Sequence, residues 1–432
     1  MTLSRRELMK VVGAGCGAAA LAGGFLEPSA AEAAGVLPSV PRTRTGDPDF
    51  AAIRQDFPRA ARKVWLAAAE SHPFSVHAIR VMNEYAQQRA VSIGGSQHAF
   101  NAEAQAETKL LFANLINATP DEVAFVQSTT DGENVVIAGM DLARRGGNVV
   151  IDDLHFTASR WIYEALQRDA GVELRIVRQK HWTVDPADMA KAIDTDTRLV
   201  SVALANNING FLHDMRAIAD VAHAHGALVY ADIIQAVGNT PVDMKAMGID
   251  CAACTAYKWL MGDFGFAFLY VRGELQGTAV KQTRYGLMQV DQRDGAFEQK
   301  PGATMYEGTS SFSYVGGLVA REGLRYLTDL GVDRIRAHAK PLTDRLQREM
   351  PALGFTPITP MDNPSPIVSF LTNDQPGTDA KLMKAFGEHV VTSRVFRVLD
   401  EQGQSQAHPG LRIGISVYND DNDIDRFLEA LA

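Results

Sequence analysis

The stretch Cys254–Val271, CTAYKWLMGDFGFAFLYV, places one lysine, Lys258, among aromatic and apolar residues, with a Gly-bearing turn and a strand-like run behind it. A lysine ordinarily keeps its ammonium in water. Burying it without a partner costs several kcal/mol or drives the amine neutral, by roughly 3–5 pKa units in the extreme case. A lysine in such a setting is either half of a structural salt bridge or a covalent catalyst whose neutral amine adds to an aldehyde.

The runs around it say where that lysine sits. EVAFVQ (122–127), NVVID (148–152), ELRIVR (173–178), TRLVSVAL (197–204), ALVYADI (227–233) and FGFAFLYV (264–271) are rich in Val, Ile, Phe and Tyr and mostly lack strict alternation. That is the pattern of strands buried on both faces. Amphipathic segments such as ASRWIYEALQRD and MRAIADVAHAHG lie between them, the second stopping at Gly226. Strand and helix in series predict an α/β fold with a mostly parallel sheet flanked by helices. Ligands bind such sheets at the carboxyl ends of the strands. Asp232 closes one of these runs, and Lys258 follows 258 − 232 = 26 residues later, beyond the next strand, so adjacent strands bring both to one edge. After Phe312 the character changes to two long helices and then the strand-like PIVSFL and LRIGIS, which predict a smaller C-terminal α+β domain. TPITPMDNPSP (356–366) reads as a loop within it.

The chain has 432 residues and a formal charge of −9, so a nucleic-acid surface, which needs a basic excess, is not expected. Its first residues are of another kind. SRRELMK carries a twin-arginine pair, a short weakly apolar run follows, and Ala31-Glu32-Ala33 offers a small-x-small cleavage site. We read residues 1–34 as a Tat export signal, cleaved near residue 33, residues 35–311 as an N-terminal segment with the large domain, and residues 312–432 as the small domain. The expected location is the periplasm, with the Tat translocase as a transient partner. Of the three cysteines, Cys251 and Cys254 lie in the apolar run IDCAACTAY, which reads as a buried strand. No second Cys/His cluster follows to complete a zinc site, which needs about four ligands, and no metal is expected.

From KVWLAAAESHP (63–73) to LRIGISVYNDDNDIDRFLEAL (411–431) the chain resembles the fold-type I pyridoxal-phosphate (PLP) enzymes, and among them the class V aminotransferase group that includes cysteine desulfurases and isopenicillin N epimerase-like proteins. The resemblance implies PLP as cofactor, Lys258 as its Schiff-base lysine and Asp232 as the carboxylate on its pyridine nitrogen, keeping the ring able to take up carbanion charge. Gln235 resembles the group on the phenolic oxygen. QSTTDGEN (127–134) opens a helix whose Thr129, Thr130 and backbone N–H groups suit a phosphate. Thr255 adds a phosphate contact, and Tyr257 stands where desulfurases usually carry histidine, its phenol replacing that residue's contact to the cofactor phosphate. His155, in DDLHFTASRW, matches the residue that stacks on the ring. Asn207, in ALANNINGFLHDM, matches an active-site asparagine near the phenolic oxygen and substrate, with Asn206 and Asn209 open as turn residues. Gly308 and Thr309, in MYEGTSSF, resemble the segment that reaches the neighbouring subunit's phosphate, which implies a homodimer. Arg412 resembles the arginine that grips the substrate α-carboxylate.

Desulfurases need a cysteine on a C-terminal loop, and TSRVFRVLDEQGQSQAHPG (392–410), where that loop would lie, has none. Transamination at Cα of an amino acid or peptide-linked amino-acid moiety is the expected reaction. Epimerisation, a lyase or decarboxylating outcome, and a non-catalytic PLP-fold binding protein stay open. Export with a preloaded cofactor also resembles the periplasmic class V enzymes that tailor siderophores such as pyoverdine.

Overall fold

The structure, a computed structural model, describes residues 39–91, 100–293, 295–308, 311–372, 389–390, 392–400 and 402–432. The export-signal reading falls on residues outside these. Seven strands form the central sheet: β1 (Val123–Val126), β2 (Asn148–Asp152), β3 (Glu173–Val177), β4 (Thr197–Ala203), β5 (Leu228–Asp232), β6 (Cys251–Thr255) and β7 (Ala267–Val271), in the order β1-β7-β6-β5-β4-β2-β3. Neighbours run parallel except β7, which is antiparallel to both β1 and β6. The physical reason is the link. Residues 256–266 separate β6 from β7, and a parallel return needs a crossover of a dozen or more residues, usually with a helix.

Both faces of the sheet are covered, which is why the strands read as continuous apolar runs. On one face, Ala124 and Val126 of β1 pack with Val135 and Val136 of helix α1 (Thr129–Gly139) and Tyr163 of α2 (Thr157–Ala170). On the other, Val123 and Phe125 share a core with Ile218 and Ala222 of α3 (Met215–Ala224) and with Leu324 and Leu327 of α4 (Tyr314–Leu330). Helix α3 starts where the Asp214 carboxylate accepts the Ala217 N–H and stops before Gly226, whose φ of +79° lies in the left-handed region that glycine tolerates.

A second sheet, antiparallel throughout, takes β8 (Phe355–Pro357), β9 (Ile367–Thr372), β10 (Thr392–Leu399) and β11 (Ser405–Gly414) in the order β8-β9-β11-β10. Its Phe370, Leu411 and Ile413 bury against Leu342 and Leu346 of α5 (Val332–Glu349) and Ile424 and Phe427 of α6 (Asp421–Leu431). Of the cysteine-free segment, residues 392–399 belong to β10 and 405–410 to β11, the two strands registered from Thr392↔Arg412 to Leu399↔Ser405. The N-terminal segment is fastened here: Ala67 bridges Gly414, and the Gly414 N–H donates to Leu66 O at 2.8 Å. A Cβ on Gly414 would meet the Ala69 backbone N at 2.6 Å, so only glycine admits this approach.

Candidate active site

The parallel strands end along one edge, where a cavity of about 180 Å³ opens. A cavity of about 150 Å³ already takes a single aromatic ring. Thr129, Thr130, Phe156, Ala203, Asp232 and Lys258 line it, with Ala205, Asn207, Ile234, Gln235, Thr255 and Tyr257 completing the wall. Asp232 is the last residue of β5, registered against Ala203 of β4 and Ala253 of β6. Lys258 follows the end of β6 by three residues. Two residues 26 positions apart thus meet across one pocket, as their spacing predicts.

Their charges are perturbed as a chemical site requires. Burial, reinforced by the positive Arg412 nearby, pushes the Lys258 ammonium down to about 7, while Asp232 opposes the shift. Burial pushes the Asp232 carboxyl up to about 6 against the Ile234 N–H it accepts and the field of Lys258. Near neutral pH the lysine is therefore partly an amine, the form that attacks a carbonyl.

The phosphate end is built by close packing. A Cβ on Gly132 of α1 would meet the Ala253 Cβ at 2.8 Å, so glycine lets the helix lie against β6. That approach joins the Thr129 N–H to Thr255 Oγ1 at 2.8 Å and the Thr255 N–H to Thr129 Oγ1 at 3.1 Å. Thr130 lines the cavity beside them at the first turn of the helix, where N–H groups and the helix dipole favour an anion. Ser128 caps this turn by accepting the Asp131 N–H.

Other expected residues fall into place differently. The structure puts Phe156, not His155, on the cavity wall. His155 is buried, its Nε2 bonded to Ser201 Oγ at 2.9 Å and its Nδ1 accepting the Phe156 N–H at 2.8 Å. That pair of bonds fixes a neutral ring with the proton on Nε2, and burial pushes the imidazole down to about 4. The cavity-facing aromatic next to it is only partly buried, 37% exposed. Gln235 lines the cavity with both ends of its amide engaged: Nε2 donates to Ala69 O at 3.0 Å, and Oε1 accepts Trp259 Nε1–H at 2.9 Å. It thereby anchors the residue after the lysine. Asn207 lines the cavity and its backbone O accepts Arg412 Nη1–H at 2.6 Å. Asn206 and Asn209 serve the turn, each accepting backbone N–H groups of the loop. Tyr257 lies at the rim, stacked on Phe264 at 4.1 Å. Gly308 is held by Gln289, outside the cavity wall, and Thr309 lies outside the described residues.

Sequence reasoning missed a buried carboxyl beneath the site. Glu133 of α1 accepts Ser159 Oγ–H at 2.6 Å and Tyr163 O–H at 2.7 Å, and Ser201 lies 3.3 Å away. Burial pushes it up to about 7, more than those donors pull it down. It also missed Glu70, whose Oε2 accepts Arg412 Nη2–H at 2.6 Å. Cys251 and Cys254 are buried free thiols in β6, pushed well above their usual range by burial, and neither lines the cavity.

The donor set fits PLP: a buried amine for its aldehyde, a carboxyl for its ring nitrogen, threonine hydroxyls at a helix start for its phosphate, and apolar walls from Ala203, Ala205 and Phe156 for its ring. Comparison with known proteins agrees. The family model "Aminotransferase class-V" matches residues 65–427. A probable cysteine desulfurase of Methanothermobacter thermautotrophicus is 29% identical over 340 residues, 77% of this chain and 84% of its own. The isopenicillin N epimerase of Streptomyces clavuligerus is 28% identical over 337 residues, 74% of this chain and 81% of its own. Among solved structures, the apo cysteine desulfurase of Thermococcus onnurineus superposes with a TM-score of 0.78 at 20% identity, covering 91% of this chain and 98% of its own. A C-DES variant with glycine covalently linked to its PLP cofactor gives 0.77 at 18% identity, covering 88% and 98%. The chain therefore belongs to the class V aminotransferase family of PLP-dependent enzymes.

Proposed function

We propose that this enzyme transaminates at Cα of an amino acid or amino-acid moiety, the free or peptide-linked amine entering the cavity at Lys258, with Arg412, bonded to the O of the wall residue Asn207, as the group nearest its carboxyl. The observation that carries the reading is the partly neutral Lys258 amine in the same cavity as Asp232. Bound PLP supplies an electron sink for the electrons of a broken bond at Cα. The protein's residues do the rest. Asp232 would hold a proton at the ring nitrogen, and the Lys258 amine would take the proton from the substrate's Cα and deliver it to the product. Phe156 and Ala203, both on the cavity wall, would supply apolar contacts to the ring. A persulfide route needs a reactive thiol at the site. The two cysteines of the described chain are buried in β6 with their thiols held neutral.

We place the reaction in the periplasm, reached through the Tat translocase by the twin-arginine segment, on a homodimer in which Gly308 and Thr309 approach the partner's phosphate. Modification of an amino-acid side chain on a siderophore of the pyoverdine kind is the setting we propose. Mixing the PLP-loaded protein with glutamate and a panel of amino acids tests the reaction: pyridoxamine phosphate should accumulate, measured by mass spectrometry. Exchange of the Cα hydrogen for solvent deuterium without pyridoxamine phosphate would replace transamination by epimerisation, and neither outcome with any amine would sink the reading.

A further inference from the structure

The Arg412 guanidinium already holds an anion, and it is the protein's own. Its Nη2 donates to Glu70 Oε2 at 2.6 Å and to Ala69 O at 3.3 Å, and its Nη1 donates to Asn207 O at 2.6 Å. The two partners differ sharply in exposure. The arginine side chain is 1% exposed, whereas that of Glu70 is 50% exposed. Arg412 is fixed by β11, registered against Ser369 and Thr392. Glu70 sits on a turn whose N–H bonds Ala67 O at 2.9 Å, pressed against β11 through the Ala67–Gly414 bridge. Its carboxylate thus reaches the arginine from the solvent side.

A buried guanidinium stripped of its anion is costly, and a carboxylate is the partner that best matches its planar fork. An incoming α-carboxylate must therefore exchange with Glu70, which can turn out to water while the arginine stays. An amine whose neighbouring carboxyl is blocked as an amide makes no such demand and leaves the Glu70–Arg412 pair closed.

We propose that Glu70 is the resting-state anion of Arg412 and a specificity determinant of the site, disfavouring free α-amino acids relative to amines whose adjacent carboxyl is amidated, as in a peptide-linked residue. This rests on the proposed function in taking Arg412 as the group nearest the substrate carboxyl.

The test uses the PLP-loaded wild type and Glu70→Gln, titrated with L-alanine and L-alaninamide and followed by the change in the cofactor's visible absorbance. Removing the competing charge should tighten L-alanine binding about tenfold or more, while L-alaninamide stays within about twofold. Unchanged or weaker L-alanine binding in the variant, or an equal change for both amines, would overturn the proposal. Calorimetric titration of propionate into the same two proteins without cofactor supplies a second reading, again expected to be tighter for the variant. That reading survives if the wild type fails to take up PLP, an outcome that would count against the proposed function alone. If Glu70→Gln does not hold the fold, Glu70→Ser, at a half-exposed turn position, must show the same preference shift.

Discussion

Thr129 and Thr255 clasp each other from two different elements: the Thr129 N–H meets Thr255 Oγ1 at 2.8 Å, and the Thr255 N–H meets Thr129 Oγ1 at 3.1 Å. One lies at the first turn of α1 and the other ends β6, so the pair welds the anion-binding helix start to the strand that leads into Lys258. Thr255→Val keeps the shape and removes the acceptor. The buried Thr129 N–H then loses its partner, at a cost of about 1–3 kcal/mol. We expect that loss in urea unfolding, together with weaker PLP retention. Unchanged stability would mean that the clasp is not what holds the helix in place.

Phe156 lines the cavity, whereas His155 beside it is buried with both ring nitrogens bonded. Phe156→Ala should weaken PLP affinity about 3- to 10-fold, the scale of one aromatic packing contact of about 0.5–1.5 kcal/mol. His155→Ala should spare that affinity and lower the unfolding free energy, because Ser201 and the Phe156 N–H lose their buried partner. Fluorescence titration of PLP beside denaturant unfolding separates the two. The reverse pattern would return the ring contact to His155.

The difference shows what a sequence can carry. The sheet was legible because strands covered on both faces must read as unbroken apolar runs, and Asp232 and Lys258 were legible because each follows such a run at the ligand-binding edge. Which of two adjacent residues in the loop after β2 faces the cavity depends on a local backbone rotation, and both His and Phe suit an aromatic wall. Glu70 and Arg412 lie 342 positions apart and meet because residues 66–69 pack against β11, through the Ala67–Gly414 bridge and the bond from Gly414 N–H to Leu66 O. Glu133 sits in an apolar helix whose donors come from α2 and β4, so nothing in its own neighbourhood announces them. The direction of β7 was decided by the length of a link, a feature weaker than the apolar run it precedes.

Among the described residues, Lys258 is the one amine on the cavity wall. Borohydride treatment of the PLP-loaded wild type should leave the cofactor's mass on the peptide containing Lys258. Lys258→Ala should lose that covalent adduct completely while still retaining PLP by dialysis, since Thr129, Thr130, Thr255 and Asp232 remain. An adduct on another lysine in the variant would move the chemistry away from this residue.

Burial of Lys258 also leaves a signature in the protein without cofactor. Its folded value is about 7 against an ordinary 10.5. Below about pH 7 the group is charged in both folded and unfolded chains, and the fold bears the full cost of a buried ammonium. Between about 7 and 10.5 the unfolded chain keeps a proton that the folded one has shed, so rising pH favours the fold and the cost fades. Asp232 acts in the opposite sense at lower pH. Raised from 3.8 to about 6, it keeps its proton in the fold while the unfolded chain has lost it, so rising pH across that window disfavours the fold. The two contributions meet in a dip near pH 6–7. Lys258→Met removes the upper arm, and the variant apoprotein should exceed the wild type in stability at pH 6–7 by on the order of a few kcal/mol. That advantage should shrink steadily towards pH 10. Urea unfolding across the pH series checks it, and an advantage that stays constant with pH would show that the ammonium was never held out of water.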